Sequence, residues 1–386
     1  MTEKLYYLDA YTSTFEATVL ECRYIKDGEY LVVLDKTAFF PEEGGQTSDT
    51  GFLNEVVVYD VQEQNGVIYH KASSKLDVGS VVKGRINFDE RFEKMQLHTA
   101  EHIICGIINR EYGYDNVGFH LSKEYVTFDI NGYLTRDMLN MVEKLANEVV
   151  YKNIEVLTSF PTAEKAQELK YRSKLEYVDN LRIVTIGEYD SCACCAPHVS
   201  RTGEIGMIKM LDFEKHKGGV RIYLTAGRRA LRDYQMRYNE GLKVSSLLSV
   251  PQNDLADGVN KLLTTNSELK YQLKEMKLNA AEIAAERIEA TDDDLVVYFP
   301  DMGMDELRAF SKKAITQVGG LLVALSGCEN DYKYLITSAD KDLSKLVKDI
   351  NGALNGRGGG KGEMLQGAFF TSIDNIKSYF NKKTDA

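Results

Sequence analysis

Alternating apolar and polar positions dominate residues 1–88 and predict a series of short β-strands. The strands are expected at residues 14–20, 29–34, 56–61, 67–70 and 80–86. Gly, Asn and Asp are concentrated between them, as is typical of tight turns. Consecutive short strands joined in this way predict a small antiparallel β-barrel as the first domain.

Residues 89–240 mix two periodicities and predict an α+β domain. Helical patterns run through residues 95–108 and 136–151, and strands are expected at 125–130 and 181–186. A further strand beginning at residue 218 leads directly into a helix.

Residues 241–292 are expected to form a helical linker that contains one long helix. From Leu255 to Ile283, nine positions follow the 4-3 spacing of a coiled-coil seam, with polar Asn266 placed to set the register. A seam this narrow has to pack against another helix. Either a homodimer or an intramolecular helical arm would satisfy it.

The last segment, residues 293–386, alternates strands and helices and predicts an α/β domain. It contains the glycine-rich run NGRGGGKG at residues 355–362, whose spacing differs from that of a Walker A loop. Glycine amides beside Arg357 and Lys361 suit contact with a nucleic-acid phosphate backbone.

Composition narrows the class of protein. The 386 residues carry a net charge of −11, with 44% hydrophobic and 27% charged residues, which is typical of a soluble protein of several domains. The acidic balance argues against a general nucleic-acid coat but permits a local basic patch, which we expect at Arg221, Arg228 and Arg229. A solvated helix face competes with this interpretation for Arg232 and Arg237. No secretory signal or long apolar run is present, so a cytoplasmic location without membrane contact is expected.

Two histidine-containing pairs suggest a metal site. His98 and His102 are four apart and therefore share one face of the predicted helix, and Cys194 and His198 form a second pair. Three nitrogens and one sulfur suit tetrahedral zinc, although Cys192 or Cys195 could replace Cys194. The other histidines, at 70, 120 and 216, lack such spacing and are expected to be structural or exposed, whereas Cys22, Cys105 and Cys328 are expected in the core.

Two further features allow more than one interpretation. The loop containing Gly44, Gly45 and Gln46 is either a plain turn or a place where backbone approaches a ligand closely. Glu101 makes the segment from His98 to His102 fit H-x-x-E-H, the motif of inverted zinc peptidases with a glutamate base.

In their order along the chain, these motifs resemble the editing half of alanyl-tRNA synthetase, and most of all the long form of the stand-alone alanyl-tRNA editing proteins. The motifs that carry the resemblance are FPEEGGQ at 40–46 with DTG at 49–51, QLHTAEH at 96–102, CCAPHV at 194–199 with TGEIG at 202–206, GGVRI at 218–222, and the glycine-rich run at 355–362. The resemblance covers nearly the whole chain and implies several properties. A non-catalytic tRNA-binding protein with a purely structural zinc is the alternative to an enzyme.

The resemblance implies zinc held by His98, His102, Cys194 and His198, and hydrolysis of tRNA(Ala) mischarged with serine, with glycine as a second candidate. It also implies no use of ATP, and dimerisation through residues 255–283 and the C-terminal domain, which in the synthetases helps to bind tRNA. The chain departs from many synthetases at Glu101, where they have a small hydroxyl residue, and at Cys195-Ala196-Pro197, where they have Gly-Gly-Thr.

The catalytic candidates are Glu101 and Gln46, and substrate contacts are expected from Gly44, Gly45, Gln46 and Thr99. Zinc can polarise an ester carbonyl or lower the pKa of a bound water. Four protein ligands, however, make a closed site with no position for water. Either one ligand is loose, with Cys194 the suspect, or zinc positions the substrate while other groups activate water.

Overall fold

The computed structural model describes residues 2–122, 125–173 and 181–381, and the chain divides into two compact units, Met1–Leu242 and Lys243–Ala386. Mixed α and β elements in several layers confirm the predicted α+β class. Among the described residues, no helix combines the length and apolar character needed to cross a bilayer.

A closed six-stranded barrel lies at the start of the first unit and confirms the prediction for this segment. The elements are β1 (Glu3–Lys4), α1 (Leu5–Leu8), β2 (Thr14–Tyr24), β3 (Tyr30–Leu34), β4 (Lys36–Thr37), β5 (Gly51–Leu53), β6 (Val56–Gln64), β7 (Val67–Ala72) and β8 (Val81–Ile86). The barrel order is β2-β3-β7-β6-β5-β8 with every pair antiparallel, and β5 was not expected from the sequence. Its strands alternate as predicted, so that in β8 Val82 and Ile86 point inward and Lys83 and Arg85 outward.

The helix that follows the barrel, α2 (Phe88–Tyr112), is buried on all sides over residues 94–108. A helix with no solvent-exposed face lies in the middle of a hydrophobic core rather than on its surface. It ends at Gly113, whose φ of 70° is the left-handed conformation that glycine adopts at helix ends.

Two antiparallel sheets and further helices surround α2 and complete the first unit. The elements are β9 (Asn116–Leu121), β10 (Val126–Ile130), α3 (Arg136–Lys152), β11 (Val156–Ser159), α4 (Ala163–Glu168), β12 (Ile183–Ile186), β13 (Asp190–Ala193), β14 (Ile208–His216), β15 (Gly219–Ala226) and α5 (Gly227–Leu248). One sheet has the order β14-β15-β10-β9 and the other β11-β12-β13.

The second unit contains the long helix and a five-stranded sheet. The elements are α6 (Leu255–Glu286), β16 (Leu295–Phe299), α7 (Met304–Ala314), β17 (Leu322–Cys328), β18 (Asp331–Thr337), α8 (Val347–Ala353), β19 (Gly356–Lys361), β20 (Met364–Phe369) and α9 (Ile373–Asn381). The sheet order is β16-β17-β18-β20-β19, and β16 pairs with β17 in parallel while the other pairs are antiparallel.

Helix α6 spans the predicted seam but leaves most of it exposed in this single chain. Leu262, Leu269 and Met276 are 57%, 58% and 68% exposed, and only Ala281 and Ala285 of the helix are buried. The seam therefore has no apolar partner along most of its length within the described chain, and the homodimer stays a prediction.

The glycine-rich run, for which the sequence predicted no secondary structure, forms a strand. It forms β19, whose residues pair in antiparallel register with β20 from Gly356 opposite Phe369 to Lys361 opposite Met364. A Cβ on Gly360 would lie 2.0 Å from the carbonyl oxygen of Met364, so this glycine permits close strand packing. Arg357 and Lys361 remain exposed on this edge strand, and no ion pair involves either of them within the described residues.

Candidate metal centre and its surroundings

The fold brings the four predicted metal ligands together. His98 and His102 lie on α2, and Cys194 and His198 lie in the loop after β13, where their four ligand atoms are all within 4.8 Å of one another. The Cys194 Sγ atom is 3.6 Å from the Nε2 atom of His98 and 3.3 Å from that of His198. Cys192 belongs instead to a neighbouring group with His102 and Asp190.

The second ring nitrogen of each histidine is held by a hydrogen-bond partner. Nδ1 of His98 lies 2.9 Å from Gln46 Oε1, and Nδ1 of His198 lies 3.0 Å from Thr99 Oγ1. Nδ1 of His102 lies 2.9 Å from Asp190 Oδ2. These contacts leave the three Nε2 atoms for the centre of the cluster, which is the arrangement that metal-ligating histidines adopt. Three imidazoles and a thiol oriented in this way fit a zinc ion.

The electrostatics of the cluster favour a thiolate. Burial alone would raise the pKa of the Cys194 thiol, but the imidazoles of His98, His198 and His102 outweigh it and hold that pKa well below its ordinary value. Burial lowers the pKa of His198 to about 3, which keeps its imidazole neutral. The pKa of His102 is instead raised well above its ordinary value, because Cys194 and Asp190 outweigh the effect of burial, so this imidazole would lose a proton on binding zinc. A thiolate and neutral imidazole are the forms in which these side chains bind zinc.

The Gly44–Gly45–Gln46 loop of the barrel domain lies against this cluster. Gly44 and Gly45 have φ values of 63° and 84°, and a Cβ on Gly45 would lie 2.4 Å from the carbonyl oxygen of Phe119. Glycine is therefore required for the loop to pack against β9. The side chain of Gln46 is fully buried, and its Nε2 atom has no hydrogen-bond partner in the described structure. A buried donor left unpaired costs about 1–3 kcal/mol, so a ligand or water is expected to accept from it.

Glu101 and Thr99, the other two polar candidates on α2, both make internal contacts. Glu101 Oε1 accepts from the Cys105 thiol at 2.9 Å and, at short range, from the Asn116 side-chain amide. The Thr99 hydroxyl donates to the Met95 carbonyl at 2.8 Å, and so it is available to His198 only as an acceptor. The peptidase alternative is not favoured, because the third and fourth ligand positions are Cys194 and His198 and the carboxylate of Glu101 already has two partners.

Asp190, which the sequence did not single out, is the carboxylate that orients a ligand. It accepts from His102 and also from Arg172, whose Nε atom lies 2.7 Å from Asp190 Oδ1. A histidine that binds a metal usually donates its other ring N–H to an acceptor such as a carboxylate. Nothing in the sequence indicated that Asp190 would be this acceptor.

The predicted tRNA-binding arginines of the first unit are paired with carboxylates. Arg221 binds Asp129 at 2.7 Å and Arg228 binds Asp89 at 2.6 Å, and both guanidinium groups keep partial exposure. Arg229 is only 8% exposed and donates to Glu93 and to the Ser122 carbonyl. The structure therefore does not favour Arg229 as a phosphate contact, because its donors are used inside the fold.

The remaining histidines and cysteines differ in environment. His70 is fully buried inside the barrel, where its ring contacts Thr37 and the Val32 carbonyl, as expected for a structural residue. Cys105 is buried as predicted, but Cys328 is exposed at the end of β17, so its assignment to the core was wrong.

Comparisons with known proteins find similarity to alanyl-tRNA editing proteins and to aminoacyl-tRNA synthetases. A family model described as the threonyl and alanyl tRNA synthetase second additional domain matches residues 181–223, and one described as class II (A) tRNA synthetases matches residues 4–90. The alanyl-tRNA editing protein AlaX-L of Pyrococcus horikoshii is 28% identical over 390 residues, which cover 95% of this chain and 94% of that protein.

Alanine–tRNA ligases are also similar to the chain. Those of Methanococcus maripaludis and Halobacterium salinarum are 30% and 32% identical over 97% and 85% of this chain, which spans only 43% and 38% of their length. The C-Ala domain of Aquifex aeolicus alanyl-tRNA synthetase matches 24% of the chain at 14% identity, and its TM-score of 0.21 is too low to support a statement about the fold. The comparisons confirm the resemblance that the ordered motifs predicted: over 95% of its length, this chain is similar to a stand-alone alanyl-tRNA editing protein.

Proposed function

We propose that this protein is a trans-editing hydrolase that deacylates tRNA(Ala) mischarged with serine, and with glycine as a second substrate, without aminoacylating tRNA itself. The similarity to an alanyl-tRNA editing protein over almost the whole chain supports the reaction class. The observation that carries the proposal is the unpaired, buried amide of Gln46 beside a zinc-type cluster of three histidines and a cysteine.

In this reaction, water attacks the carbonyl carbon of the aminoacyl ester, and the bond from that carbon to the ribose oxygen breaks. Free amino acid and uncharged tRNA are released. Zinc held by His98, His102, Cys194 and His198 would supply Lewis-acid polarisation at the ester or acidify a water. The Gln46 Nε2 group donates to the carbonyl oxygen as negative charge develops on it, and its orientation is set by the bond from His98 to its own carbonyl oxygen.

Gly44 and Gly45 support Gln46 by allowing the loop to approach β9 closely. Glu101 remains the second catalytic candidate. Its contacts with Cys105 and Asn116 support a role in orienting the site more than a role as a base, because proton transfer would require it to exchange at least one of these partners.

Selection of serine over alanine requires a buried group that hydrogen-bonds the seryl hydroxyl, because an added hydroxyl alone changes affinity for an apolar pocket little. The Gln46 amide nitrogen carries two protons, so it can donate one to the ester carbonyl and one to the hydroxyl. Thr99 is the weaker candidate, since its proton is used by the Met95 carbonyl. Gln46 is therefore the residue expected to distinguish the two substrates.

The proposed substrate makes tRNA(Ala) the partner and places the activity in the cytoplasm. Arg221, Arg228, Arg357 and Lys361 are the partly or fully exposed cations proposed to contact its phosphates. The exposed apolar positions of α6, together with the C-terminal domain, are proposed to form a homodimer interface.

A deacylation assay with Ser-tRNA(Ala), Gly-tRNA(Ala) and Ala-tRNA(Ala), each with and without a metal chelator, tests the proposal. Ser-tRNA(Ala) should be hydrolysed at least tenfold faster than Ala-tRNA(Ala), and the chelator should abolish the difference. Equal rates on both substrates would refute the editing function. His98→Ala should lose deacylation but keep tRNA binding, whereas full activity of this variant would show that the cluster is not needed.

A further inference from the structure

A groove outside the metal centre lies on the outer face of the barrel, where β5, β6 and β8 meet the beginning of α2. Its volume of about 670 Å³ is within the range of ligand-binding clefts. Its walls combine hydroxyl, aromatic and charged side chains, and the lining residues include Thr14, Thr50, Phe52, Tyr59, Arg85 and Asn87.

Strand pairing brings an arginine and an aromatic ring together in this groove. In the barrel register, Arg85 on β8 lies between Thr14 on β2 and Phe52 on β5, and Phe52 is followed by Val57 on β6. The Arg85 guanidinium lies over the Phe52 ring, 5.0 Å from its centroid. A guanidinium that lies over an aromatic ring can offer its other face to a stacked base.

The charge balance of the groove suits an anionic ligand. Arg85 is exposed and makes no ion pair within the described residues, although the chain as a whole carries a net charge of −11. The carboxylate lining the groove, Asp89, is already paired with Arg228 at 2.6 Å. The groove therefore contains one uncompensated cation and no uncompensated carboxylate.

The groove is close enough to the metal centre to belong to the same substrate. Gln46, which contacts His98, is four residues from Thr50 in the groove wall, and four extended residues span at most about 14 Å. Along α2, Phe88 in the groove and His98 are ten residues apart, or about 15 Å of helix. At 3.4 Å per stacked nucleotide, either distance corresponds to roughly four nucleotides of a single strand.

We propose that this groove binds the unpaired 3′ strand of the aminoacyl-tRNA, with one base stacked on Arg85 and a neighbouring phosphate attracted by its charge. The inference rests on the proposed editing function, because it takes the reacting ester to lie at the metal centre. A stacked aromatic and arginine surface beside hydroxyl groups is how proteins bind single-stranded RNA without reading its sequence.

Two substrates of different length separate this proposal from the proposed function. Ser-tRNA(Ala) reaches the groove, whereas the serine ester of adenosine contains only the terminal nucleoside and does not. In Arg85→Ala, KM for Ser-tRNA(Ala) should rise about tenfold with kcat unchanged, because stacking of one base contributes about 1–3 kcal/mol. Hydrolysis of seryl-adenosine by the same variant should equal that of the unsubstituted protein.

Control variants distinguish stacking from general charge. Arg85→Lys keeps the charge but loses the planar stack, so its KM should lie between those of Arg85→Ala and the unsubstituted protein. Arg23→Ala removes another exposed cation of the barrel, on β2 and outside the groove, and should leave KM unchanged. Fluorescence anisotropy provides a readout without catalysis: intact tRNA(Ala) should bind more tightly than tRNA(Ala) trimmed of its unpaired 3′ nucleotides, and Arg85→Ala should abolish that difference.

An unchanged KM in Arg85→Ala, or equal loss of activity on both substrates, would overturn the proposal. In the first case the groove does not bind the 3′ strand through Arg85, and in the second Arg85 supports the fold or the metal centre. Failure of the unsubstituted protein to hydrolyse either ester would instead refute the editing function, and the binding measurement would still test the groove.

Discussion

A buried ion pair between Arg91 and Asp49 is predicted to set the position of the catalytic loop. Arg91 lies on α2, three residues before the stretch that is buried on all sides, and Asp49 lies three residues after Gln46. Both side chains are buried, at 0% and 1% exposure, and the guanidinium also donates to the carbonyls of Ala10 and Ala38. The pair therefore connects this barrel loop to the helix that carries two of the predicted metal ligands.

The expected cost of breaking this pair is large. In Arg91→Met, the Asp49 carboxylate keeps, among the described residues, only the hydrogen bond from the Phe40 backbone amide. Removing one partner of a buried ion pair costs about 3–5 kcal/mol, because the other charge stays buried without compensation. Asp49→Asn should cost a similar amount for the converse reason. The double variant removes both charges, so its cost should fall below the sum of the single variants by about 2 kcal/mol.

Hydrogen exchange followed by mass spectrometry on the full chain measures this loss of local stability. The informative peptides cover residues 38–53 and the start of α2. Each 1.4 kcal/mol is a factor of ten, so amides that open with this region should exchange about a hundredfold faster or more in either single variant. Peptides from the second unit serve as the internal control and should not change. If the loss of stability in the double variant equals the sum of the losses in the single variants, or if exchange in the loop is unaffected, the pair does not hold the loop in place.

Three further predictions concern the ligand shell, the barrel and the loop. Asp190→Asn should weaken zinc binding about 10- to 100-fold in a competition with a chelator, and an unchanged affinity would contradict its orienting role. Burial lowers the pKa of His70 to about 4, below its ordinary 6.5, so the unfolded chain takes up this proton first as the pH falls. The free energy of unfolding should therefore decrease by about 3 kcal/mol between pH 6.5 and 4, and an equally steep decrease in His70→Gln would exclude this cause. Gly45→Ala should reduce deacylation at least tenfold by displacing Gln46, whereas Gly28→Ala, with a similar φ of 83° and nothing within 4 Å of the added carbon, should not.

The spacing of residues along the chain correctly predicted features that depend only on sequence neighbours. The alternation of residues 80–86 predicted β8, and the four-residue interval between His98 and His102 predicted ligands on one helix face. In both cases the local period determines which way the side chains point, whatever surrounds them.

Contacts between distant segments were not predictable in this way. Asp190 and Arg229 find their partners 88 and 136 residues away, at His102 and Glu93, and no local pattern marks those pairings. The strand formed by the glycine-rich run could not be predicted for a related reason. Glycine has no side chain to show alternation, so the strand β19 is specified by its pairing with β20 and not by its own sequence.

The candidate metal centre draws its hydrogen-bond partners from separate parts of the fold, so in the proposed editing site amino acid recognition and metal binding would be linked. Each of the three histidines has a hydrogen-bond partner at its Nδ1 atom. Gln46, from a loop of the barrel, contacts His98; Asp190, on β13, contacts His102; and Thr99, on α2 itself, contacts His198. Gln46 orients His98 with one end of its amide and has the other end free for a substrate. A protein that changed its amino acid preference by replacing Gln46 would therefore also release a ligand from its orientation. Selectivity in this fold is more easily altered at residues that move the Gln46 loop as a whole than at Gln46 itself.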